Sequence, residues 1–391
     1  MSVFYYIFIP FVVSLLAAIW IFPKILRIAL LKNIVDNPDA RKLQRRPIPV
    51  LGGVAVMFGI LVSLSISGLF FDCSSLFTIV LAMLIMLYLG TIDDIVELSP
   101  RMRFMIEILV ALMIMYTCGY SLNDLHHLWG VTSLPNYVSI PLSVVTIVGI
   151  TNAINLIDGV DGYSSGYCIM TCCIFGLFFY LSGDMPMVML AVVCVASLIP
   201  FFFHNVFGRT TKMFIGDGGT LVMGVVMSTF VLNVLKSDTM CLHYSDWGIG
   251  LVPFTLSVLS IPVFDTVRVM SMRMLRGTSP FNPDKTHLHH LFIEMGFSHI
   301  GTTISILTLN CLVILGWYVS YKLGCSIDCQ LYIVIALAML VTVVLYYGMH
   351  YCARHNWAVY RLMKWLGEAS HIERKGVFLW LQRMMDDHEK V

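Results

Sequence analysis

Long apolar runs separated by short polar loops set the pattern of this chain. A helix needs roughly 20 mostly apolar residues to cross a bilayer. About eleven runs approach that length, at approximately 3–22, 50–71, 75–92, 102–118, 138–157, 163–182, 186–203, 218–235, 247–267, 302–321 and 329–349. The fourth and fifth are the least sharply delimited. The pattern predicts an all-α, polytopic transmembrane helical bundle over residues 1–351, with a tail over 352–391. In the tail, Trp357, Tyr360, Met363 and Trp365 alternate with Arg361 and Lys364. An amphipathic helix on the anionic inner leaflet and a plain solvated tail both fit that alternation. No internal repeat or low-complexity segment stands out.

Loop charge orients the bundle. If the loop after the first run is cytoplasmic and the sides alternate, every Lys and Arg except Lys236 and Lys322 falls inside. The inner side then holds Arg41, Lys42, Arg45 and Arg46 in the first loop, Arg268, Arg273, Arg276 and Lys285 in a later one, and Arg374, Lys375 and Lys390 in the tail. Basic residues favour the cytoplasmic side, so the N-terminus is expected outside and the C-terminus inside.

Composition narrows the class. Hydrophobic residues make up 58% and charged residues 12%, against roughly 25% charged in soluble domains. Mean hydropathy is +0.85, which excludes a water-soluble globular domain. A net charge of +1 argues against a nucleic-acid partner. The first run is followed by basic residues and no small-residue cleavage site, so it reads as a retained helix. The eleven cysteines show no metal-binding spacing. Cys325 and Cys329 share a short loop; a disulfide in an oxidising compartment is one reading, two small apolar residues the other.

The acidic residues carry the chemistry. An aspartate inside a membrane helix costs about 2.5–3.5 kcal/mol on insertion scales, so it rarely sits there without a role. Asp93 and Asp94 end the third run, Asp158 and Asp161 follow the fifth in TNAINLIDGVDG, and Asp217 opens the eighth in FIGDGG. Under the orientation above, all five lie at cytoplasmic helix ends with little basic charge beside them. Such a group is unfavourable unless a cation binds, and carboxylates plus water suit Mg²⁺. Each motif also has a plainer reading: a solvated Asp pair, or ordinary Asp-Gly turns. Asn152 and Asn155 sit three apart and share a helical face. The glycines of FIGDGG bracket Asp217 at a helix start, where N–H groups face an anion. No GK[ST] follows, so this is not a Walker A loop.

The loop after the ninth run reads RGTSPFNPDKTHLHHLF. Pro280 and Pro283 keep its start non-helical. His287, His289 and His290 then cluster beside Lys285 and Arg276, a set suited to phosphate oxygens. Exposed loop histidines are the plainer alternative, and the spacing is not HExxH. A secondary transporter is the rival class, but transporters place acids near the midplane in repeated halves.

Together PVLGG (Pro49 to Gly53), the Asp93-Asp94 pair, NAINLIDGVDG, FIGDGG and PDKTHLHHLF occur in an order that resembles one family. It is the polyprenyl-phosphate N-acetylhexosamine-1-phosphate transferases. The resemblance spans roughly residues 36 to 297. HLHH is similar to the UDP-GlcNAc (WecA-like) branch, and Thr220 stands where the family more often has Ser.

The resemblance implies an enzyme that moves N-acetylhexosamine 1-phosphate, GlcNAc 1-phosphate foremost, from a UDP-sugar to undecaprenyl phosphate. UMP leaves, in a first membrane step of cell-envelope polysaccharide synthesis such as O-antigen or lipopolysaccharide. UDP-GalNAc and UDP-MurNAc-pentapeptide stay open as donors. It further implies Mg²⁺, with Mn²⁺ as a substitute, on Asp217 and Asp94. Catalytic roles fall to Asp93, Asp94, Asp158, Asp161, His287, His289 and His290. Asn152, Asn155, Asn205, Phe214 and Lys285 would bind substrate, Phe214 by stacking on uracil. The setting would be the bacterial inner membrane with the site on the cytoplasmic face. A homodimer stays open.

Overall fold

The structure is a computed structural model and describes residues 3–38, 46–281, 284–371 and 376–387. Arg41, Lys42, Arg45, Pro283, Arg374, Lys375 and Lys390 lie outside the described residues. Eight helices come first: α1 (Val3–Leu31), α2 (Gly52–Ser67), α3 (Phe77–Val96), α4 (Pro100–Cys118), α5 (Asn136–Leu156), α6 (Tyr163–Ser182), α7 (Met185–Phe207) and α8 (Gly216–Leu235). A single turn, α9 (His243–Asp246), leads to α10 (Leu251–Val258), α11 (Ser260–Leu275), α12 (Leu288–Glu294) and α13 (His299–Lys322). The chain ends in α14 (Ile327–Met339), α15 (Leu345–Arg354), α16 (Ala358–Ala369) and α17 (Gly376–Asp387). The strands among the described residues are β1 (Val35–Asp36) and β2 (Ile48–Pro49), antiparallel with Val35 opposite Pro49.

The protein is a helical, multi-pass membrane protein. Eight helical segments are long and apolar enough to cross a bilayer, and α10 with α11, bent by 75°, makes a ninth. Helices α2, at 16 residues, and α4, which carries Arg101, Arg103 and Glu107, occupy the places of the second and fourth expected runs. Eleven spans are reached only if both of these cross as well.

Helix α8 is the buried centre; of its residues, Asp217 alone is not buried. It packs on α2, α3 and α5. Two glycines permit that closeness. A Cβ on Gly53 would collide with the Gly219 backbone, and one on Gly90 with the Asp217–Gly218 backbone. The PVLGG segment is also stitched to the start of α8. Gly52 N–H donates to Phe214 O at 2.9 Å, Gly53 N–H to Ile215 O at 2.7 Å, and Phe214 N–H to Pro49 O at 2.7 Å. These bonds satisfy backbone groups that no helix ladder reaches, and they fix the loop that presents Asp217.

The bend between α10 and α11 is held by buried Asn310 of α13. Its Oδ1 accepts from Ser260 Oγ at 3.0 Å and Ile261 N at 3.2 Å, and its Nδ2 donates to Val258 O at 3.0 Å. A break within an apolar span requires such substitutes. Cys325 and Cys329 are both free thiols in the structure.

Candidate active site

The polar helix ends converge. A cavity of about 1090 Å³ is lined from the segment after α1 (Asp36, Arg46), the end of α3 (Asp94, Glu97) and the loop after α5 (Asp158, Asp161). The segment after α7 adds Arg209, Lys212 and Phe214; Asp217, His290, His299 and Gln382 complete it. These segments follow α1, α3, α5, α7 and α11, the alternation expected for one face of a bundle. The structure therefore brings Asp94, Asp158, Asp161, Asn205, Phe214, Asp217 and His290 to one cavity.

At its floor, α3 and α8 meet. Asp217 N–H donates to Asp94 Oδ1 at 3.1 Å, so the positive start of α8 faces a carboxylate. Asn155 Nδ2 donates to Asp217 Oδ1 at 2.9 Å and to Thr220 Oγ1 at 2.8 Å. Thr220 thus does work that a Ser hydroxyl would also do.

Arg103 is the residue that sequence reasoning missed. Its Nη1 lies 3.1 Å from Asp93 Oδ2 and 3.0 Å from Asp217 Oδ2, and its Nε donates to Glu107 Oε1 at 3.1 Å. The expectation of too little basic charge is corrected here: one guanidinium serves two of the five aspartates. Asp93 faces this cation, and its Oδ1 accepts from Leu98 N–H at 2.7 Å; it does not line the cavity. Asn152 is likewise turned to Glu107 Oε2 at 2.5 Å. The i, i+4 spacing of Arg103 and Glu107 was a sequence signal, but one common on any helix.

The wall near Asp161 is also paired. Lys212 Nζ sits 2.6 Å from Asp161 Oδ2 and His299 Nδ1 3.0 Å from it. Burial pushes the Asp161 carboxyl up, yet His299 and Lys212 outweigh it and hold the group below its usual value. Asp158 goes the other way. It accepts from Ser164 Oγ, and burial, with Asp217 and Asp161 adding repulsion, pushes it up to about 7. Its side chain is nevertheless open to the cavity. Asn205 uses both ends of its amide on the walls: Oδ1 accepts from Gly162 N–H at 2.6 Å and Nδ2 donates to Met213 O at 3.0 Å. Lys212 Nζ lies 5.9 Å from the Phe214 ring centroid.

The three histidines separate. His287 is buried, with Nδ1 2.9 Å from Asp265 Oδ2, and Asp265 also pairs with Arg268 at 2.6 Å. His289 is buried against Gly159. His290 alone of the three lines the cavity. Burial, then the charges of His287 and Lys285, lowers its imidazole to about 4. His289 is pushed well below its usual value, first by burial and then by His290 and His287. Both are neutral near pH 7. Lys285 does not line the cavity.

A divalent cation can be tested against this donor set. Among the described residues, no group of three or more His, Cys, Asp or Glu side chains is arranged to hold a metal alone. Asp94 and Asp217 are adjacent carboxylates from two helices, open to a cavity large enough for phosphates. Mg²⁺ is usually held by one or two carboxylates, with substrate phosphates and water supplying the rest. The pair fits that habit.

The sequence profile of glycosyl transferase family 4 matches residues 76–235, the stretch that carries all five aspartates. The chain is 32% identical over 299 residues to the probable undecaprenyl-phosphate N-acetylglucosaminyl 1-phosphate transferase of Bacillus subtilis, covering 75% of this chain and 79% of that protein. It is 27% identical to the undecaprenyl-phosphate alpha-N-acetylglucosaminyl 1-phosphate transferase of Yersinia pestis, covering 86% and 89% of the two chains. The Escherichia coli K12 protein of the same description is 26% identical, covering 85% and 87%. The chain belongs to glycosyl transferase family 4. This family 4 protein is an enzyme of the sugar-1-phosphate transferase kind, and the transporter reading falls away.

Proposed function

We propose that this transferase moves N-acetylhexosamine 1-phosphate, most simply GlcNAc 1-phosphate, from a UDP-sugar to undecaprenyl phosphate on the cytoplasmic face of a bacterial inner membrane. The observation that carries the proposal is the single cavity in which Asp94, Asp158, Asp217 and His290 face Arg46, Arg209 and Lys212. The names of the relatives support acceptor and transferred group alike.

The reaction exchanges one phosphoanhydride for another. An oxygen of the lipid phosphate forms a bond to the sugar-bearing phosphorus, and the bond from that phosphorus to the UMP oxygen breaks. Both partners are anions, so the site must suppress their repulsion. Asp217 and Asp94 would hold Mg²⁺, which supplies charge stabilisation at the transferring phosphoryl group when bound. Asn155, itself held by the Thr220 hydroxyl, fixes the Asp217 carboxylate in orientation. Arg103 balances Asp93 and Asp217 before substrates arrive. Phe214 offers a ring for uracil, and Lys212 and Arg209 offer donors to the diphosphate. His290, as a neutral imidazole, donates one N–H without adding charge. The polyprenyl tail need not leave the bilayer, because the cavity opens at helix ends.

A direct test is the purified enzyme with undecaprenyl phosphate, a panel of UDP-sugars and Mg²⁺. UDP-GlcNAc should be the best donor and EDTA should stop turnover. Equal turnover in EDTA would remove the metal from the account, and a preference for UDP-GalNAc would change the sugar alone.

A further inference from the structure

Helix α17 presents a face that touches the site. Positions 378, 382 and 386 lie four apart and so share one side of the helix. Phe378 packs on Phe207 at the end of α7, ring centroids 5.0 Å apart. Gln382 lines the cavity. Asp386 Oδ1 accepts from the backbone N–H groups of Arg209 and Thr210, each at 3.0 Å, and of Thr211 at 3.4 Å. The Thr210 and Thr211 hydroxyls reach the same oxygen at 3.0 and 3.4 Å. Burial pushes the Asp386 carboxyl up, but these donors outweigh it and hold the group below its usual value.

The loop so gathered is a wall of the cavity. Arg209 and Thr210 line it, and the next residues deliver Lys212 to Asp161 and Phe214 to the same space. Successive N–H groups turned toward one anion form a concave nest, which an acceptor stabilises. The acceptor here comes from more than 170 residues away along the chain.

We propose that α17 is a strap across the active site and that Asp386 is a positioning residue. It fixes the 209–212 loop, and thereby sets how the nucleotide half of the donor is received. This rests on the transferase reading above. Asp386 touches no reacting atom; its effect passes through Lys212 and Arg209. Removing it should therefore weaken donor binding and leave the lipid acceptor and the chemical step alone.

The test pairs kinetics with a readout that needs no turnover. Asp386→Ala should raise the donor KM about tenfold, the loss of roughly one charge-assisted set of hydrogen bonds. The kcat and the acceptor KM should stay within about twofold. Asp386→Asn keeps an oxygen acceptor and should recover most of the donor affinity. In parallel, Thr211, buried at 1% exposure, is changed to Cys in both backgrounds with the native cysteines replaced by alanine, and labelled with a maleimide. Labelling should be about tenfold faster with Asp386→Ala than with Asp386 intact. Unchanged labelling overturns the strap, as does faster labelling with an unaltered donor KM, or a loss confined to kcat. If the wild-type enzyme transfers nothing from any UDP-sugar, the function reading has failed, and the labelling arm still judges the strap.

Discussion

Arg103 sits between Asp93 and Asp217, and that placement sets the electrostatics of the whole floor. A half-buried guanidinium shared by Asp93, Asp217 and Glu107, with Lys212 on Asp161, leaves Asp94 and Asp158 as the two of the five aspartates without a basic partner among the described residues. Asp217→Asn keeps the size of the side chain and the bond to Asn155 but removes the charge. It should lower transfer by about 10²–10³-fold, the usual cost of losing one preorganised electrostatic group. Thermal unfolding of the variant should match the wild type, and wild-type turnover by it would remove Asp217 from the mechanism. His290 gives a pH signature. Its imidazole lies at about 4 when folded, against 6.5 ordinarily. The folded state thus binds fewer protons than the unfolded chain in that window, so His290 costs stability as pH falls from about 6.5 toward 4. Comparing unfolding midpoints, wild type should lose several degrees more than His290→Gln over that range. Equal losses would mean that the imidazole is not held neutral. The aspartate motifs and HLHH were readable because rare polar residues in an apolar chain are conspicuous. Arg103, Lys212 and His299 were not readable as partners of Asp217 and Asp161, because those particular contacts join residues 51 to 138 positions apart.

At the scale of elements, the site depends on how closely α3 and α8 approach. Gly90 faces the Asp217–Gly218 backbone with no room for a methyl group. Gly90→Ala should destabilise the fold by about 1–3 kcal/mol through overpacking and also reduce transfer, since α3 and α8 carry Asp94 and Asp217. An unaltered unfolding midpoint would contradict the packing described. The apolar periodicity located most of the long helices to within about five residues, but it ended α1 well short of Leu31 and gave α10–α11 as one run. The 75° bend is invisible in hydropathy because Asn310, which stabilises it, lies on α13. The PVLGG motif was visible as a pattern, but its purpose was not. Its backbone bonds to Phe214 and Ile215 form only when the loop before α8 has folded against it. Orientation is the remaining element-level prediction. A protein retaining only Cys325 should react with an impermeant maleimide added outside whole cells. One carrying only Ser279→Cys, near Asp284, should react only after the membrane is opened. The reverse pattern would put the cavity on the side that lacks UDP-sugars.

For the whole molecule, embedding and chemistry have one explanation. The cavity sits at the ends of spans, and Trp357 just before α16, Trp365 on α16 and Trp380 on α17 are exposed, a composition suited to a membrane surface. A lipid-borne acceptor can then meet a water-borne donor without crossing the bilayer. In the proposed reaction the bond made and the bond broken are both phosphoanhydrides to the same sugar phosphate, so the reaction free energy should be small. A shift of about 1.4 kcal/mol changes an equilibrium constant tenfold, so modest UMP should drive the reaction backwards. The identity of the reversing nucleotide tests the central claim most directly. Purified enzyme is incubated with lipid-linked sugar diphosphate, Mg²⁺ and either UMP or UDP, and UDP-sugar is measured. The account predicts UDP-sugar with UMP and none with UDP. Formation with UDP and not with UMP would mean that the sugar moves without its phosphate, and the phosphotransferase assignment would be wrong.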